Sequence, residues 1–561
     1  MAKVTPPKSG KPIGCLPLFI ALLVLVGGLT AVTWIPLRNA RAAWRDGRNA
    51  EAVEEAERWS KLRVWPRQYH QVLAAALLTV GNRPGAKPHL DALRGGQMWI
   101  SALPKEEVAQ KLFSRGRYAD FLDYDAAVDE LRDSDETRLH RAAALAATEK
   151  IAEAEAALKD AGGADPKELE AVRRAISDRR QGSFPYVVDR NGKTIAAFQL
   201  ANDDVVAMNT DFAALIEREA GALTIESQSR RIGTFDTIET TLDSATQKAA
   251  LASIAGFRAS LVAIDPETNE ILAIASNRGG GPLENLAIEH RYEPGSVMKV
   301  LTGMAAIAHG VDVKTMFPYN CTGHLEIDGR QFGDWLEGGH GSLVDFDEAL
   351  ARSCNVVFAD IGLRTGLDNL RATHKSAGFD GKADLALIQP PLGATEGRIF
   401  NNFETGFYSI GLEHESITTL HLAMLASMMA NRGELTTPRF LRARRSILGE
   451  EVAAAPRQAK QRVVPAEVAE RMIVAMRAVV TREHGTGRRA AVDGVTLAMK
   501  TGTAGKRENG YHALVMAFAP VEKPKIAFAL IAEESGPAEF TAAKMAHDFL
   551  TALKSGPQPR L

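Results

Sequence analysis

One stretch of the 561-residue chain, Glu293-Pro294-Gly295-Ser296-Val297-Met298-Lys299, constrains the fold most strongly. Proline and glycine interrupt regular structure there. The apolar run that follows, Val300 to Ile307, has the i, i+3 and i+4 spacing of a helix. The pattern therefore predicts a buried helix that begins at or just before Ser296. Ser296 and Lys299 then share one helical face, within side-chain reach of each other.

The pairing of Ser296 with Lys299 is suited to nucleophilic catalysis. A serine hydroxyl attacks a carbonyl carbon poorly until a base removes its proton, and a lysine kept neutral by apolar surroundings can be that base. The same residues also fit an N-terminal serine cap followed by a solvated lysine one turn later. On this stretch alone the capping interpretation is the simpler one, because short motifs often match by chance.

Two later stretches favour the catalytic interpretation. Ser353-Cys354-Asn355 follows a predicted helix from Phe346 to Arg352. Lys500-Thr501-Gly502-Thr503 ends an apolar run from Val495 to Met499 that is typical of a strand. The order S-x-x-K, S-x-N, K-T-G is similar to the signature of penicillin-binding proteins and serine β-lactamases. From Thr240 onward, the chain resembles a penicillin-binding protein.

Further stretches resemble this family and stand in its order along the chain. They are Thr240-Thr241-Leu242-Asp243 with Gln247, Ala263-Ile264-Asp265-Pro266, Glu270-Ile271-Leu272-Ala273, His340-Gly341, Ala430-Asn431-Arg432-Gly433 and Gly485-Thr486-Gly487. Two stretches depart from the family. Where relatives often have a glutamine-glycine pair and a threonine-proline pair, this chain has Ile410-Gly411-Leu412-Glu413 and Ile417-Thr418-Thr419. The strand that begins at His512 lacks the usual large aromatic residue. These departures leave the acceptor and the exact peptide substrate open.

Acyl transfer by serine needs a nucleophile, a base and a route for the proton. Ser296 is the predicted nucleophile, and Lys299 is the base that receives its proton. Ser353 offers a hydroxyl that relays a proton to the leaving amine, and Asn355 can contact a peptide amide and hold Lys299 in place. Capping at a helix end is the alternative for Ser353 and Asn355.

The reaction also needs residues that bind the substrate and an oxyanion hole. Lys500 and Thr501 are predicted to bind a terminal carboxylate, which a β-lactam also presents. Gly502 has no side chain, so substrate can lie close to the strand edge. The resemblance implies that the backbone N–H groups of Ser296 and Thr503 form the oxyanion hole. A plain strand end followed by a turn is the alternative for this stretch.

Strands at both ends of the C-terminal part, with helices between them, predict the α+β class. The resemblance implies the penicillin-binding/β-lactamase-like transpeptidase fold over residues 236–556, with an antiparallel sheet flanked by helices, an all-helical half, and the active site between them. Residues 182–235 are interpreted as a small linker domain, with a hairpin that turns at Asn191-Gly192. No glutamate-centred glycosyltransferase motif precedes Thr240, which favours a single catalytic activity.

Residues 38–181 have the composition and periodicity of an all-α region. A repeat begins at Gly47, Gly81, Gly116 and Glu149, at intervals of 34, 35 and 33 residues. This period resembles tetratricopeptide repeats (TPRs), although a non-repetitive helical bundle also fits the loose pattern. We expect residues 47–180 to bind a cell-wall protein partner or to space the catalytic part from the membrane.

The chain has no charge between Lys11 and Arg38, and Leu16 to Ile35 is almost wholly apolar. Such a run is long enough to cross a bilayer as a helix. We expect a cytoplasmic tail over residues 1–13, one transmembrane helix over residues 14–37, and a catalytic domain outside the cytoplasm, at the bacterial cytoplasmic (inner) membrane. A cleaved signal peptide is the alternative, although its apolar part is normally shorter.

Charge and cysteine content exclude other classes of protein. The chain has 67 basic and 69 acidic residues, a net charge of -2, so nothing indicates a nucleic-acid partner. Cys15 begins the membrane segment, while Cys321 and Cys354 either pair in an oxidising space or remain two small core residues. His340 is interpreted as structural. No His, Cys and carboxylate spacing indicates a metal site, and the resemblance implies no cofactor.

The leading hypothesis is a membrane-anchored D,D-transpeptidase that cross-links peptidoglycan stem peptides through an acyl-Ser296 intermediate and binds β-lactams. A D,D-carboxypeptidase or a β-lactamase would release the same acyl-enzyme to water. A third hypothesis, from another class, is a scaffold of low turnover whose helical repeats bind cell-wall partners. The sequence does not distinguish an amine from water as the group that deacylates Ser296.

Overall fold

The computed structural model describes residues 16–61, 65–98, 100–130, 133–201, 204–213, 215–216, 237–280, 284–386, 388–454, 458–505, 510–556 and 561. The chain divides into two compact units. Unit one comprises Met1–Gln181, Ser229–Asp236 and Arg445–Ala453, and unit two comprises Gly182–Gln228, Thr237–Arg444 and Ala454–Leu561.

Unit one is almost wholly helical, as the periodicity predicts. Its helices are Leu16–Arg45, Asn49–Ser60, Pro66–Thr79, Arg83–Leu93, Lys105–Phe113, Tyr118–Ala127, Asp135–Ala147, Ile151–Lys159 and Pro166–Arg180. A short parallel strand pair, Gln97–Met98 with Asp129–Glu130, interrupts the helices and is not predicted. The largest side chains fully buried in this unit are aromatic: Trp44, Tyr69, Phe113, Tyr118, Phe121 and Tyr124.

The sequence repeat corresponds to a repeated turn in unit one. Gly47, Gly81, Gly116 and Glu149 have φ of +84°, +83°, +64° and +66°, and each precedes the first residue of a helix by two positions. Glycine adopts such backbone angles freely, whereas at Glu149 they cost about 1–2 kcal/mol of conformational free energy. The turn therefore explains the periodic glycine, while membership of the tetratricopeptide family stays a prediction.

The predicted membrane segment, residues 14–37, falls mostly within the helix Leu16–Arg45. Residues 1–15, with the predicted tail and Cys15, lie outside the described residues. Across the described part of the chain, no helix combines the length and the apolar character needed to cross a bilayer.

Unit two is built around a five-stranded antiparallel sheet. Its strands, in spatial order, are Ala498–Ala504, His512–Ala519, Ile526–Ala532, Ala259–Asp265 and Glu270–Asn277. The three middle strands are almost wholly buried, which requires cover on both faces. The helices Thr419–Ala430, Ser244–Ser253 and Ala542–Ser555 pack against this sheet. Ala498–Ala504 is an edge strand.

The helical half of unit two lies against this edge strand. Its helices are Lys299–Ala308, Phe346–Ala351, Asn355–Thr365, Leu367–Ser376, Asn402–Ser409 and Ala466–Thr481. Short strands and 3-10 turns join these elements: Tyr319–Cys321, His324–Ile327, Arg330–Gly333, Gly341–Leu343, Ala394–Thr395, Glu415–Ser416, Glu434–Thr436, Lys460–Arg462, Gly295–Met298, Val313–Met316 and Arg488–Ala490. Strands and helices thus combine as the α+β class predicts.

A second sheet includes the segment predicted as a linker domain. Its order is Glu451–Ala454, Leu441–Arg445, Thr237–Thr240, Ser183–Val188, Thr194–Gln199 and Asp204–Ala207, and a 3-10 turn follows at Thr210–Phe212. The predicted hairpin is confirmed: Ser183–Val188 pairs with Thr194–Gln199 in antiparallel register, and Gly192 turns with φ +80°. Residues 202–203, 214 and 217–235 of the predicted linker lie outside the described residues.

Near the motifs, one predicted element boundary is confirmed and one is wrong. The helix predicted from Phe346 to Arg352 is observed as Phe346–Ala351, and a second helix, Asn355–Thr365, follows it; the two are separate because Ser353 has φ +57° and cannot continue a right-handed helix. The strand predicted over Val495 to Met499 instead spans Ala498–Ala504. The K-T-G motif therefore lies inside the edge strand and not after it.

Candidate active site

Ser296 lies in a tight turn at the start of the predicted helix. The 3-10 turn Gly295–Met298 leads directly into Lys299–Ala308, and Ser296 is half-buried. Gly295 has φ +56°, and a Cβ added to it would lie 2.7 Å from the Thr503 carbonyl oxygen. Glycine is therefore required where this turn meets the edge strand.

Lys299 is fully buried and contacts the predicted nucleophile. Its Nζ lies 3.0 Å from Ser296 Oγ, so the two side chains are in contact, as their helical spacing predicts. The same Nζ donates to the Ser353 carbonyl oxygen at 2.6 Å and to Asn355 Oδ1 at 2.7 Å. These bonds fix the Lys299 side chain from two directions and direct it toward Ser296.

Ser353 and Asn355 reach Lys299 because the chain bends between two helices. Ser353 adopts a left-handed conformation, φ +57°, which costs free energy and is typical of functional sites. The N-cap of Asn355–Thr365 is Cys354, whose Sγ accepts a hydrogen bond from Val357 N at 3.5 Å. The side chains of Ser353 and Asn355 are thus free of the capping role that was the alternative for them.

Lys500 approaches Ser353 from the edge strand. Its buried Nζ donates to Ser353 Oγ at 2.8 Å and to the Thr501 carbonyl oxygen at 2.8 Å. Lys299 Nζ lies 3.3 Å from the same Ser353 Oγ, so this hydroxyl connects the two lysines. Thr501 Oγ1 forms a hydrogen bond of 2.6 Å with Thr486 Oγ1. Thr486 belongs to a motif quoted from the sequence, but its contact was not predicted.

Burial changes the acidity of both lysines. It lowers the pKa of Lys299 to about 8, while the negative charge of Asp334 acts in the opposite direction. Burial also lowers the pKa of Lys500 well below its ordinary value, and the charge of Lys299 lowers it further. Low dielectric surroundings disfavour the ammonium form, so Lys299 is able to act as a base near neutral pH.

The edge strand Ala498–Ala504 presents backbone groups to the site. It pairs with His512–Ala519 on one side, and it has no neighbour on its other side within the described sheet. Gly502 packs against the nucleophile turn, because a Cβ there would lie 2.9 Å from the Pro294 carbonyl oxygen and 3.0 Å from Val297 Cγ1. Thr503 remains half-exposed. An extended peptide can pair with such an edge.

Four further side chains form a cluster behind Ser353, which we call the thiol cluster: Cys321, Asp334, His340 and Cys354. The two sulfur atoms are 3.5 Å apart and are not bonded. Asp334 Oδ2 lies 2.9 Å from Cys354 Sγ and 3.3 Å from His340 Nδ1, and Cys321 Sγ lies 3.8 Å from His340 Nδ1.

The thiol cluster could hold a metal ion. One donor atom from each of its residues lies within 4.8 Å of all the others. Around a tetrahedral zinc ion, with bonds of about 2.3 Å to sulfur and about 2.0 Å to nitrogen or oxygen, donor atoms lie roughly 3.3–3.8 Å apart. The sequence did not indicate this site, because the four positions follow none of the usual ligand spacings.

Comparison with known proteins identifies the family. Residues 259–551, just over half of the chain, match the model of the penicillin binding protein transpeptidase domain. The chain belongs to this family. The resemblance recognised from the three motifs is therefore confirmed.

Curated relatives carry transpeptidase names. The chain is 32% identical over 319 residues to peptidoglycan D,D-transpeptidase PbpA of Mycolicibacterium smegmatis, covering 50% of this chain and 62% of the relative. It is 31% identical over 339 residues to peptidoglycan D,D-transpeptidase MrdA of Acinetobacter baumannii, covering 52% of this chain and 50% of the relative. The chain thus spans between half and just under two thirds of the length of these relatives.

Solved structures share the fold of this family. The ceftriaxone acyl-enzyme complex of penicillin-binding protein A from M. tuberculosis aligns with a TM-score of 0.57 and 23% identity, covering 66% of this chain and 98% of that one. Pseudomonas aeruginosa PBP2 in complex with WCK 5153 aligns with a TM-score of 0.57 and 22% identity, covering 67% and 97%. At this identity the likeness concerns the fold alone.

All eight motif residues predicted from the sequence lie around one site. Ser296, Lys299, Ser353, Asn355 and Lys500 are linked directly by hydrogen bonds. The other three, Thr501, Gly502 and Thr503, follow Lys500 along the edge strand beside the nucleophile turn. Their chemical roles stay predictions.

Proposed function

We propose that this chain is a serine peptidoglycan D,D-transpeptidase, which cross-links stem peptides through an acyl-Ser296 intermediate and is acylated by β-lactams. The observation that carries the proposal is the 3.0 Å contact of Ser296 Oγ with the Nζ of buried Lys299, whose pKa is lowered to about 8. A serine nucleophile requires a base of this kind near neutral pH. The names of the matched relatives support the same activity.

In the acylation step, neutral Lys299 takes the Ser296 proton while Oγ forms a bond to the carbonyl carbon of the penultimate D-Ala. A pKa of about 8 leaves roughly one Lys299 in ten neutral at pH 7. The C–N bond to the terminal D-Ala then breaks, and its nitrogen takes a proton. Because Ser353 Oγ lies between the two lysines, its hydroxyl is placed to pass that proton from Lys299.

The substrate is held along the edge strand. We assign its terminal carboxylate to Lys500 and Thr501, and its backbone to the strand edge beyond Gly502. The oxyanion hole is assigned to the N–H groups of Ser296 and Thr503, as the resemblance implies. The close approach of the nucleophile turn to Thr503, which only a glycine at position 295 permits, supports this assignment.

In the deacylation step, an amine of a second stem peptide attacks the acyl carbon, and the bond between that carbon and Ser296 Oγ breaks. A new peptide bond forms, and the enzyme is regenerated. Water in place of the amine would make the chain a carboxypeptidase, or a β-lactamase when the donor is a β-lactam.

The position in the cell is part of the proposal. Residues 14–37 would anchor the chain in the bacterial cytoplasmic membrane as one span, with the catalytic domain outside the cytoplasm. The uncharged run between Lys11 and Arg38 supports this anchor. The helical repeats of residues 47–180 would bind a cell-wall protein partner, since repeated helical hairpins offer extended binding surfaces.

Covalent labelling with a fluorescent penicillin tests the proposed nucleophile. We expect the purified wild type to form a stable adduct and Ser296→Ala to form none. Ser114→Ala, which alters an exposed serine in unit one, is the matched control and should label normally. A wild type that takes no label would contradict the proposal, and rapid loss of the label would identify a β-lactamase instead.

Product analysis with a stem-peptide donor separates the remaining alternatives. With an amine acceptor present, a transpeptidase gives the cross-linked product, whereas a carboxypeptidase gives only the shortened peptide and free D-Ala. Equal yields of hydrolysis product with and without the acceptor would favour the carboxypeptidase.

A further inference from the structure

The first helix of unit one joins the apolar run to the core of that unit. Leu16–Arg45 includes the apolar run Leu16 to Ile35 and continues through Pro36 for about three further turns. Leu37, Ala40 and Trp44 in these turns are fully buried in the core of unit one. Because one helix contains both parts, a bilayer that holds the apolar run also fixes the position of the helices packed around the last turns.

The second helix returns the chain to the end of the apolar run. Asn49–Ser60 packs against the first helix, and its 12 residues span about 18 Å at 1.5 Å per residue. This length is close to the distance along the first helix from Trp34 to Arg45. The rings of Trp34 and Trp65 accordingly lie 5.5 Å apart, edge to face. Trp65, the N-cap of the third helix Pro66–Thr79, therefore lies level with the last turn of the apolar run.

Apolar side chains are exposed at the same level. Ile35 and Ile100 have 52% and 49% of their surfaces accessible. Ile100 belongs to this end of unit one, because its carbonyl oxygen accepts a 3.0 Å hydrogen bond from Gln68 in the first turn of the third helix. Trp34 and Trp65 are half-buried, and indole rings are enriched where a membrane meets water. Contact with a bilayer would remove this apolar surface from water.

Basic side chains accompany the apolar ones. Arg38 follows Trp34 by one helical turn, while Arg58 and Lys61 lie at the C-terminal end of the second helix. All three are exposed, and none of them forms an ion pair within the described part of the chain. The positive-inside rule disfavours basic residues just outside a membrane span, and lipid phosphates supply Arg38 with a partner there. The acidic residues of the second helix all precede Arg58: Glu51, Glu54, Glu55 and Glu57.

We infer that this end of unit one is a membrane-binding surface whose basic side chains bind the anionic headgroups of phospholipids. We call it the interfacial patch; it consists of Trp34, Arg38, Arg58, Lys61, Trp65 and Ile100. The inference rests on the proposed membrane anchor and adds a second, electrostatic contact with the bilayer. The two indole rings and Ile100 lie at the headgroup boundary, and the lipid phosphates bind the guanidinium and ammonium groups. This contact holds the helical repeats at a fixed height above the membrane.

Brominated lipids test the position of the two indole rings. The full chain is reconstituted in nanodiscs whose lipids carry bromine at the upper end of their acyl chains, where it quenches the emission of nearby tryptophan. Because the two rings are 5.5 Å apart and share one depth, Trp34→Phe and Trp65→Phe should each lower the quenched emission about twofold. Circular dichroism checks that both variants keep their helices. Quenching that depends on Trp34 but not on Trp65 would overturn the inference and leave the anchor intact.

The reactivity of lysine amines tests the anionic headgroups. Acetylation of the wild type by acetic anhydride is followed by mass spectrometry in nanodiscs of phosphatidylcholine, with and without phosphatidylglycerol. We expect the anionic lipid to slow the acetylation of Lys61 about fivefold, the factor that corresponds to about 1 kcal/mol per basic side chain at an anionic surface. At about 1 M salt, where the Debye length is about 3 Å, this slowing should disappear.

Lys150 is the matched control within the same molecule. It is exposed and lies in the repeated turn, which in the first repeat is the end of the helices away from Trp34, so its acetylation rate should not change. A Lys61 rate that is equal in the two lipids would overturn the inference. Absence of tryptophan quenching in the wild type would refute the proposed anchor, and the interfacial patch with it. Penicillin labelling of the same nanodiscs tests the acyl-Ser296 chemistry separately, and its failure would leave the interfacial patch in place.

Discussion

The substitution Asn355→Asp tests directly whether Lys299 is the base. Asn355 Oδ1 accepts a hydrogen bond from Lys299 Nζ at 2.7 Å. Aspartate has nearly the same shape as asparagine, so the change places a negative charge in contact with the lysine without altering its packing. An opposite charge favours the protonated amine, and the Lys299 pKa should therefore rise above its value of about 8.

The size of this rise follows from the short distance. Two opposite charges about 4 Å apart attract each other by about 4 kcal/mol at an effective dielectric constant of about 20. One pKa unit corresponds to about 1.4 kcal/mol, so the upper limit is about three units. Asn355 is half-buried, and solvent screening lowers the expected rise to about one to two units. Each unit lowers the neutral fraction of Lys299, and hence the acylation rate at pH 7, about tenfold.

The assay is the rate of acylation by a fluorescent penicillin between pH 6 and 10. For the wild type we expect a rate that rises about tenfold per pH unit and levels off above a midpoint near the Lys299 pKa of about 8. For Asn355→Asp the midpoint should lie one to two units higher, so that the rate recovers at high pH. If the substitution only weakened a contact with the substrate amide, the plateau of the acylation rate would fall, but the midpoint of its pH dependence would not move.

Asn355→Ala is the matched control for this experiment, because it removes the Asn355 side chain, including any contact with the substrate amide, without adding charge. Its midpoint should not rise above that of the wild type. A wild-type rate independent of pH between 6 and 9, or an unchanged midpoint in Asn355→Asp, would refute the reasoning that Lys299 is the base.

Three further predictions concern the strand, the helical unit and the thiol cluster. Gly502→Ala should slow penicillin acylation at least about tenfold and lower the stability by about 1–3 kcal/mol, because its Cβ would lie 2.9 Å from the Pro294 carbonyl oxygen. Stopped-flow labelling measures the acylation rate, and thermal unfolding measures the stability. Asp125→Ala should destabilise the protein by about 3 kcal/mol in calorimetry, because it removes the ion pairs that Asp125 forms with buried Lys105 at 3.1 Å and with Arg141 at 2.5 Å, and leaves Asp133 as the remaining partner of Lys105. Elemental analysis should find one zinc ion per chain, and Cys354→Ser or a chelator should lower both the zinc content and the Tm.

Each of these predictions has a matched control. Gly333→Ala should be nearly neutral, because no atom lies within 4 Å of the added Cβ. Asp91→Ala removes an exposed ion pair with Arg94 and should change stability by less than about 1 kcal/mol. An acylation rate in Gly502→Ala equal to that of the wild type would contradict the packing argument. A loss of stability as small for Asp125→Ala as for Asp91→Ala would contradict the ion-pair argument. A zinc content unaffected by Cys354→Ser would exclude the thiol cluster as the metal site.

Patterns within single elements were predicted correctly because backbone periodicity is local. The three-residue spacing of Ser296 and Lys299 follows from the helical turn and leads to their 3.0 Å contact. The hairpin at Asn191-Gly192 follows from glycine's freedom to adopt a positive φ. The apolar run that ends in the K-T-G motif predicted a strand, although its start and end were misplaced.

The conformation of Ser353 has a tertiary cause. Ser353 lies between two helices, and its left-handed conformation is one that serine rarely adopts. The contacts of its carbonyl and hydroxyl oxygens with Lys299 and Lys500 hold it there. Local propensity does not include such distant contacts, so the left-handed conformation of Ser353 could not be predicted from the residues around it.

The sequence by itself determined the family, the ordered motifs and the choice of the eight candidate site residues, because these depend on residue types and on short spacings. Only the tertiary structure decided how the site is assembled. Lys299 meets Ser353 and Asn355 across 54 and 56 residues, and Lys500 meets Ser353 across 147. The thiol cluster likewise joins distant segments. Burial, which lowers the lysine pKa values, depends on the packing of separate elements, and a linear spacing does not specify that packing.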